Sequence, residues 1–265
     1  MALPAAGYAI KTLVVRGKRA GNSHVDLLAR KIKARVIALG AEPLATHVIW
    51  ITVPDDAIAP VARSLAGSQD WKGKFIFHSS GALTSDELAP LRAKGARVAS
   101  VHPMMTFVRG KAPEMQEVAF AVEGDAAAVR MARAIVADLG GNPFLIRKQN
   151  KVLYHVFGSF ASPMVIALMA SLEQVGRAAG LRQAEVKRVM TPLLMQTLRN
   201  HLDRDAASAF SGPLVRGDVA TVCKHLDELE RLPEAKAVYL ALSRAALKLL
   251  PVKNRAALER QLRGR

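Results

Sequence analysis

The run over residues 74–107, KFIFHSSGALTSDELAPLRAKGARVASVHPMMTF, constrains the fold more than any other stretch of this chain. Two short apolar runs, 74–77 and 97–101, read as strands. Each ends in a polar cluster, His78-Ser79-Ser80-Gly81 after the first and His102-Pro103-Met104 after the second. The segment between them reads as a helix, with Ser85 as its N-cap and Asp86 and Glu87 set against the macrodipole in its first turn. Strand, helix and strand in this space make a βαβ unit with a parallel pair. Ligands of open parallel sheets bind beyond the carboxyl ends of the strands. Both histidine clusters therefore belong to the functional edge.

The flanking sequence repeats the pattern. Strands are expected over 8–16, 35–39, 46–53, 118–123 and 142–147, and helices over 23–32, 57–65 and 125–139. The run THVIWITV at 46–53 is apolar throughout, as a strand covered on both faces must be. Asp55 or Asp56 is placed to cap the helix after it. Alternation of this kind predicts a doubly wound α/β domain over residues 1–148. From residue 149 to 265 strand periodicity disappears and helical spacing takes over, which predicts an all-helical second domain. Pro163 falls within the first of these helices and should kink or break it.

Composition narrows the function class. A chain of 265 residues with 51% hydrophobic side chains is long enough for a substantial core. Its single cysteine, Cys223, excludes an intramolecular disulfide and fits a reducing cytoplasm. The histidines show no metal-ligand spacing, so no metal site is expected. Residues 152–172 form a run with no charged side chain apart from one His. Its serines, Gly158 and Pro163 favour a buried central helix over a membrane span. The net charge of +16 suits an anionic small ligand. A nucleic-acid binder is a third-ranked reading, because the basic C-terminal stretch lacks interleaved aromatic residues for base stacking.

A dinucleotide-binding fold opens with a strand and a turn of the form G-x-G-x-x-G. No such turn precedes the first strand here, and the opening MALPAAGY reads as the end of a helix leading into a second strand. The first strand, which would lie in the middle of the sheet, is thus missing. The expectation is a start inside a longer reading frame, or a member that closes the gap in another way.

The motifs VPDDAI (53–58), HSSGAL (78–83), SVHPMMTF (100–107), YHVFGSFASP (154–163), SGPLVRGD (211–218) and KHL (224–226) occur in this order. Together they resemble a two-domain family of Rossmann-like proteins whose helical C-terminal half is domain of unknown function 2520. The resemblance runs over about residues 7–250. The family is similar in fold to pyrroline-5-carboxylate reductases, ketopantoate reductases and prephenate dehydrogenases. The resemblance therefore implies an NAD(P)-dependent oxidoreductase acting by hydride transfer on a small carboxylated carbonyl or imine compound. It also implies a homodimer formed through the helical domain. The competing class is a non-catalytic Rossmann-like binding or scaffold protein.

Candidate residues follow. Arg16, Lys18 and Arg19 stand after the second strand with no acidic residue beside them, which favours NADP over NAD. Val53, Pro54 and Asp55, with Ser79, Ser80 and Gly81, would line the cofactor groove, Gly81 allowing close backbone approach. His102 and His155 are the candidate proton donors. His102 resembles the strand end that lies by the substrate in prephenate dehydrogenases, whereas His78, nearer the strand, reads as structural. His155, Ser159 and Ser162 fall on one face of a continuous helix. In the second domain Ser211, Gly212, Arg216 and Asp218 form a turn in which Arg216 could anchor a carboxylate and Asp218 could cap the next helix.

Overall fold

The computed structural model describes residues 2–17, 24–108 and 113–263. The chain forms two compact units, Met1–Phe160 and Ala161–Arg265. The first unit opens with α1 (Ala2–Ala5), β1 (Thr12–Val15), α2 (His24–Ile32), β2 (Arg35–Ala38), β3 (Val48–Ile51) and α3 (Asp55–Ala66). It continues through β4 (Phe75–His78), α4 (Ala89–Arg92), β5 (Arg97–Pro103), β6 (Ala119–Gly124), α5 (Ala126–Asp138) and β7 (Asn142–Leu145). Helix α6 (Lys151–Ala161) follows. The helical pattern begins where the sequence places it, yet the units divide later, because Lys151 ties the start of α6 to the strand ends of the first unit.

The strands form two sheets, β1-β2 and β3-β4-β5-β6-β7. All pairs are parallel except β5 with β6. The connection from β5 to β6 carries no helix among the described residues, so the chain returns antiparallel rather than crossing over. The sheet is parallel-dominated, as the doubly wound reading expects, with this one antiparallel pair. Among the described residues, β1 and β3 each have ladder partners on one side only.

Register distributes the core. Ile76 pairs with Val98 and Phe77 with Ala99, all fully buried. Alternate side chains point to opposite faces. Ile76 and Val98 accordingly join Ile58, Leu65, Trp71 and Leu91 on one face, while Phe77 and Ala99 join Phe120, Val122, Ala132 and Val136 on the other. Burial on both faces is what the continuous apolar strands require.

The second unit holds α7 (Pro163–Ala178), α8 (Gln183–Asp203), α9 (Ala206–Ala209), α10 (Pro213–Arg216), α11 (Val219–Glu228), α12 (Pro233–Leu249) and α13 (Arg255–Arg263). Its core joins α11, α12 and α13 through Val222, Leu226, Leu240, Leu247, Leu258 and Leu262. Pro163 breaks the long apolar run as expected, standing at the first turn of α7 where a missing N–H costs nothing. The stretch Lys148–Ala178 is long and apolar enough to cross a membrane by length and composition, and none of it but Lys151 is buried in α6 or α7.

Candidate functional site at the ends of strands β4 and β5

The polypeptide turns sharply after β4, and the turn is held by its own polar side chains. His78 is fully buried. The Ser80 N–H donates to His78 Nδ1 at 3.1 Å, and Nε2 lies 3.0 Å from the Thr84 carbonyl. A backbone N–H can only donate, so Nδ1 must be bare and the single ring proton must sit on Nε2. Burial pushes the imidazole down to about 4, and nearby Lys151 adds to this. Both nitrogens are spent and the ring is neutral. His78 is structural, as its place in the sequence suggests.

Ser80 is committed as well. Its hydroxyl donates to Asp55 Oδ2 at 2.7 Å and accepts from the Leu83 N–H at 2.9 Å. Asp55 is free for this because α3 begins at Asp55 itself, with Pro54 in the N-cap position. The expected aspartate cap is replaced by a link between two strand ends. Ser79 Oγ accepts from Trp50 Nε1 at 2.8 Å, which leaves its own O–H to donate elsewhere. The cap of the turn after Ser80 is Thr84 rather than Ser85. Ser85 is buried, and its N–H and hydroxyl both donate to Glu123, at 2.6 and 2.8 Å.

Gly81 marks the point of convergence. A Cβ there would stand 2.6 Å from His155 Cδ2 and 2.7 Å from His102 Nε2. Only glycine lets both rings close over this backbone. The His102 and His155 rings meet edge to face at 6.2 Å, and His102 meets Tyr154 at 5.6 Å. His102 Nδ1 lies 3.3 Å from the Tyr154 hydroxyl. Desolvation, and then the Lys151 charge, lower His102 to about 4. Burial raises the Tyr154 phenol to about 12. At neutral pH His102 is an uncharged ring and Tyr154 an intact phenol.

Lys151 is the residue that sequence reading passed over. It is fully buried, with Nζ 2.6 Å from Ser100 Oγ and 3.0 Å from the Ser80 carbonyl. Burial brings it down to about 8, with Glu123 and Asp55 pulling the other way. A lone lysine opening an apolar run was the signal available: amphipathic placement at a helix start normally leaves a lysine solvated.

Arg16 is exposed beyond β1, and Lys18 and Arg19 fall outside the described residues. Val53, Pro54 and Asp55 are exposed at the end of β3. The Ser159 hydroxyl donates to the His155 carbonyl within α6 at 3.0 Å. Ser162 lies between α6 and α7, so the single helical face expected for His155, Ser159 and Ser162 is interrupted. In the second unit, Asp218 caps α11, accepting from the Thr221 N–H at 3.0 Å and hydroxyl at 2.7 Å. That bond to the Thr221 N–H holds its carboxyl below the usual range, and Arg216 contributes. Ser211 and Arg216 are exposed, and Gly212 takes a positive φ of 103° before α10.

Residues 118–246 match a domain of unknown function, DUF2520. A comparison with curated proteins gave no match. Among solved structures the chain is similar to BF3122 of Bacteroides fragilis, proposed to be an NADP oxidoreductase, at 20% identity and TM-score 0.74, covering 92% of this chain and 90% of that chain. It is similar to protein TM1727 of Thermotoga maritima at 23% identity and TM-score 0.66, over 89% and 87% of the two chains. It is also similar to an imine reductase of Myxococcus stipitatus in complex with NADP+, at 19% identity and TM-score 0.66, over 93% and 89%. At these identities the likeness establishes the fold. The α/β first unit and the helical second part thus share the fold of Rossmann-like structures.

Proposed function

We propose that the protein is an oxidoreductase that uses NADP in preference to NAD and reduces, or in reverse oxidises, a small carboxylated carbonyl or imine compound. The observation that carries this reading is the closure of His102 and His155 over Gly81 at the ends of β4 and β5. Strand ends are where such sheets bind nucleotides, and structures similar to this one include an imine reductase in complex with NADP+.

The residues fit a nicotinamide cofactor at that edge. Val53, Pro54 and Asp55 present an exposed row beyond β3, and Ser79 retains a hydroxyl proton for a carboxamide oxygen. Arg16, with Lys18 and Arg19, supplies the basic end that suits a 2′-phosphate. Bound there, the cofactor would supply or accept hydride. Neutral His102 offers an N–H to a substrate carbonyl or imine without releasing charge, and exposed His155 can exchange a proton with water. Ser159 and Ser162 belong to the substrate side, and Arg216, flanked by Ser211, Gly212 and Asp218, is the proposed carboxylate anchor.

The same reading includes a homodimer in the cytoplasm. In the second unit α7 buries none of its residues and α8 only Val186. Ile166 (65% exposed), Leu193 (71%) and Leu202 (81%) would otherwise stand in water.

The test is turnover. The full chain is given NADPH or NADH with a panel of 2-oxo acids and cyclic imines, and nicotinamide fluorescence is followed. NADPH consumption with at least one substrate, lost in His102→Asn and in Arg216→Ala, is the expected result. Failure of every pair, with neither nucleotide bound, would overturn the proposal.

A further inference from the structure

Lys151 is the one buried lysine or arginine among the described residues, and nothing in hydride transfer requires a cation beneath the strand ends. Its position is specific. The ammonium bridges the end of β4 through the Ser80 carbonyl and β5 through Ser100 Oγ, and Ser100 donates back to the Ser80 carbonyl at 3.3 Å. Ser80 precedes Gly81. Ser100 and His102 are two apart on β5 and so share a face. Tyr154, three residues after Lys151 in α6, lies on the same side of its helix. One helix thus acts on His102 twice, through the Tyr154 hydroxyl beside its ring and through the charge of Lys151.

We propose that Lys151 is a positioning residue: its ammonium, fixed between Ser80 and Ser100, keeps the His102 ring neutral and turned towards Gly81. In the tautomer where Tyr154 donates to Nδ1, the ring proton lies on Nε2, the His102 atom that a Cβ at Gly81 would meet first. The charges around the pair are Asp55 and Glu123, which favour the ammonium, Asp55 also favouring a second proton on His102, and His78 and His155, which with Lys151 oppose that proton. The ammonium itself is held by two neutral oxygens, the Ser80 carbonyl and the Ser100 hydroxyl, so its charge is not cancelled where it is bound. The chemical consequence rests on the oxidoreductase reading: His102 acts as an uncharged hydrogen-bond donor to the substrate, and the Lys151 charge adds to burial in keeping it so.

The test is side-chain NMR of the 15N-labelled full chain, following His102 from about pH 8 to about pH 5, where an ordinary histidine titrates. His102→Asn assigns the signal. In the wild type His102 stays neutral across the range. In Lys151→Met its titration should move up by about one unit, as expected when a near charge is removed. Lys151→Arg should keep it low, and His225 in the second unit should not move in either. An unchanged His102 titration in Lys151→Met would overturn the proposal and leave Lys151 a structural pin. Should Lys151→Met fail to fold, Ser100→Ala removes one anchor of the ammonium and must shift His102 in the same direction; no shift there overturns it equally. No cofactor or turnover enters this readout. A protein that ignores NADPH would refute the oxidoreductase reading while leaving the Lys151 result standing.

Discussion

Replacing Lys151 by Met should change how stability depends on pH. Unfolded, the lysine titrates at 10.5; folded, burial brings it to about 8. Below about pH 8 both states are protonated and the lysine contributes no slope. Between the two values the unfolded chain holds a proton that the folded one has released, so stability rises with pH. Above 10.5 both states are neutral and the gain is complete. At 1.36 kcal/mol per unit the rise is about 3 kcal/mol. Lys151→Met removes the titrating group, so wild-type stability minus variant stability should climb by about that amount across the window. Near pH 7 the variant should lie within about 1–2 kcal/mol of the wild type, since an apolar side chain of similar length avoids the buried charge and Ser100 keeps its bond to the Ser80 carbonyl. Urea unfolding followed by tryptophan fluorescence is the assay. Both tryptophans, Trp50 and Trp71, lie in the first unit and report on it alone. A difference curve that stays flat, or falls with rising pH, would refute the reasoning.

Acid should destabilise the first unit early. His78 and His102 both stand near 4 when folded against 6.5 unfolded, so the unfolded chain binds more protons between these values and stability falls as pH drops from about 6.5 to about 4. For fully buried His78 alone the loss is about 3 kcal/mol, and His78→Gln should remove that share of the slope. Gly124→Ala should cost more than about 3 kcal/mol, measured by the same unfolding assay. Its φ is +142°, and an added Cβ would strike the Val98 carbonyl and come within 2.6 Å of Ala99 Cα, both backbone atoms. Asp218→Ala should cost the second unit about 1 kcal/mol by uncapping α11, visible as a lower helical melting temperature, and Asp218→Asn should restore most of it.

Much of the fold is legible in the sequence because the signals are short-range. Apolar strand runs, the switch to helical spacing and the break at Pro163 each depend on neighbours within a turn or two, and each appears where expected. The antiparallel pairing of β5 with β6 was not legible, because strand patterning is silent on direction. The polar edge was legible as residues but not as roles. Ser79, Ser80 and Asp55 read as ligand contacts or helix caps, yet the last two bond to each other and Ser79 is held by Trp50, 29 positions away. Lys151 escaped because its partners, Ser80 and Ser100, lie 71 and 51 positions away, and a lysine at a helix start is ordinarily solvated.

The central claim, that this strand edge serves a nicotinamide cofactor, is tested most directly by thermal unfolding of the full chain with NADPH or NADH. A ligand at 100 times its dissociation constant adds about 2.7 kcal/mol to folded-state stability. The account predicts a rise in Tm with NADPH that exceeds the rise with NADH at equal concentration, and a smaller NADPH response in Arg16→Ala. An unmoved Tm with either nucleotide at millimolar concentration would contradict it.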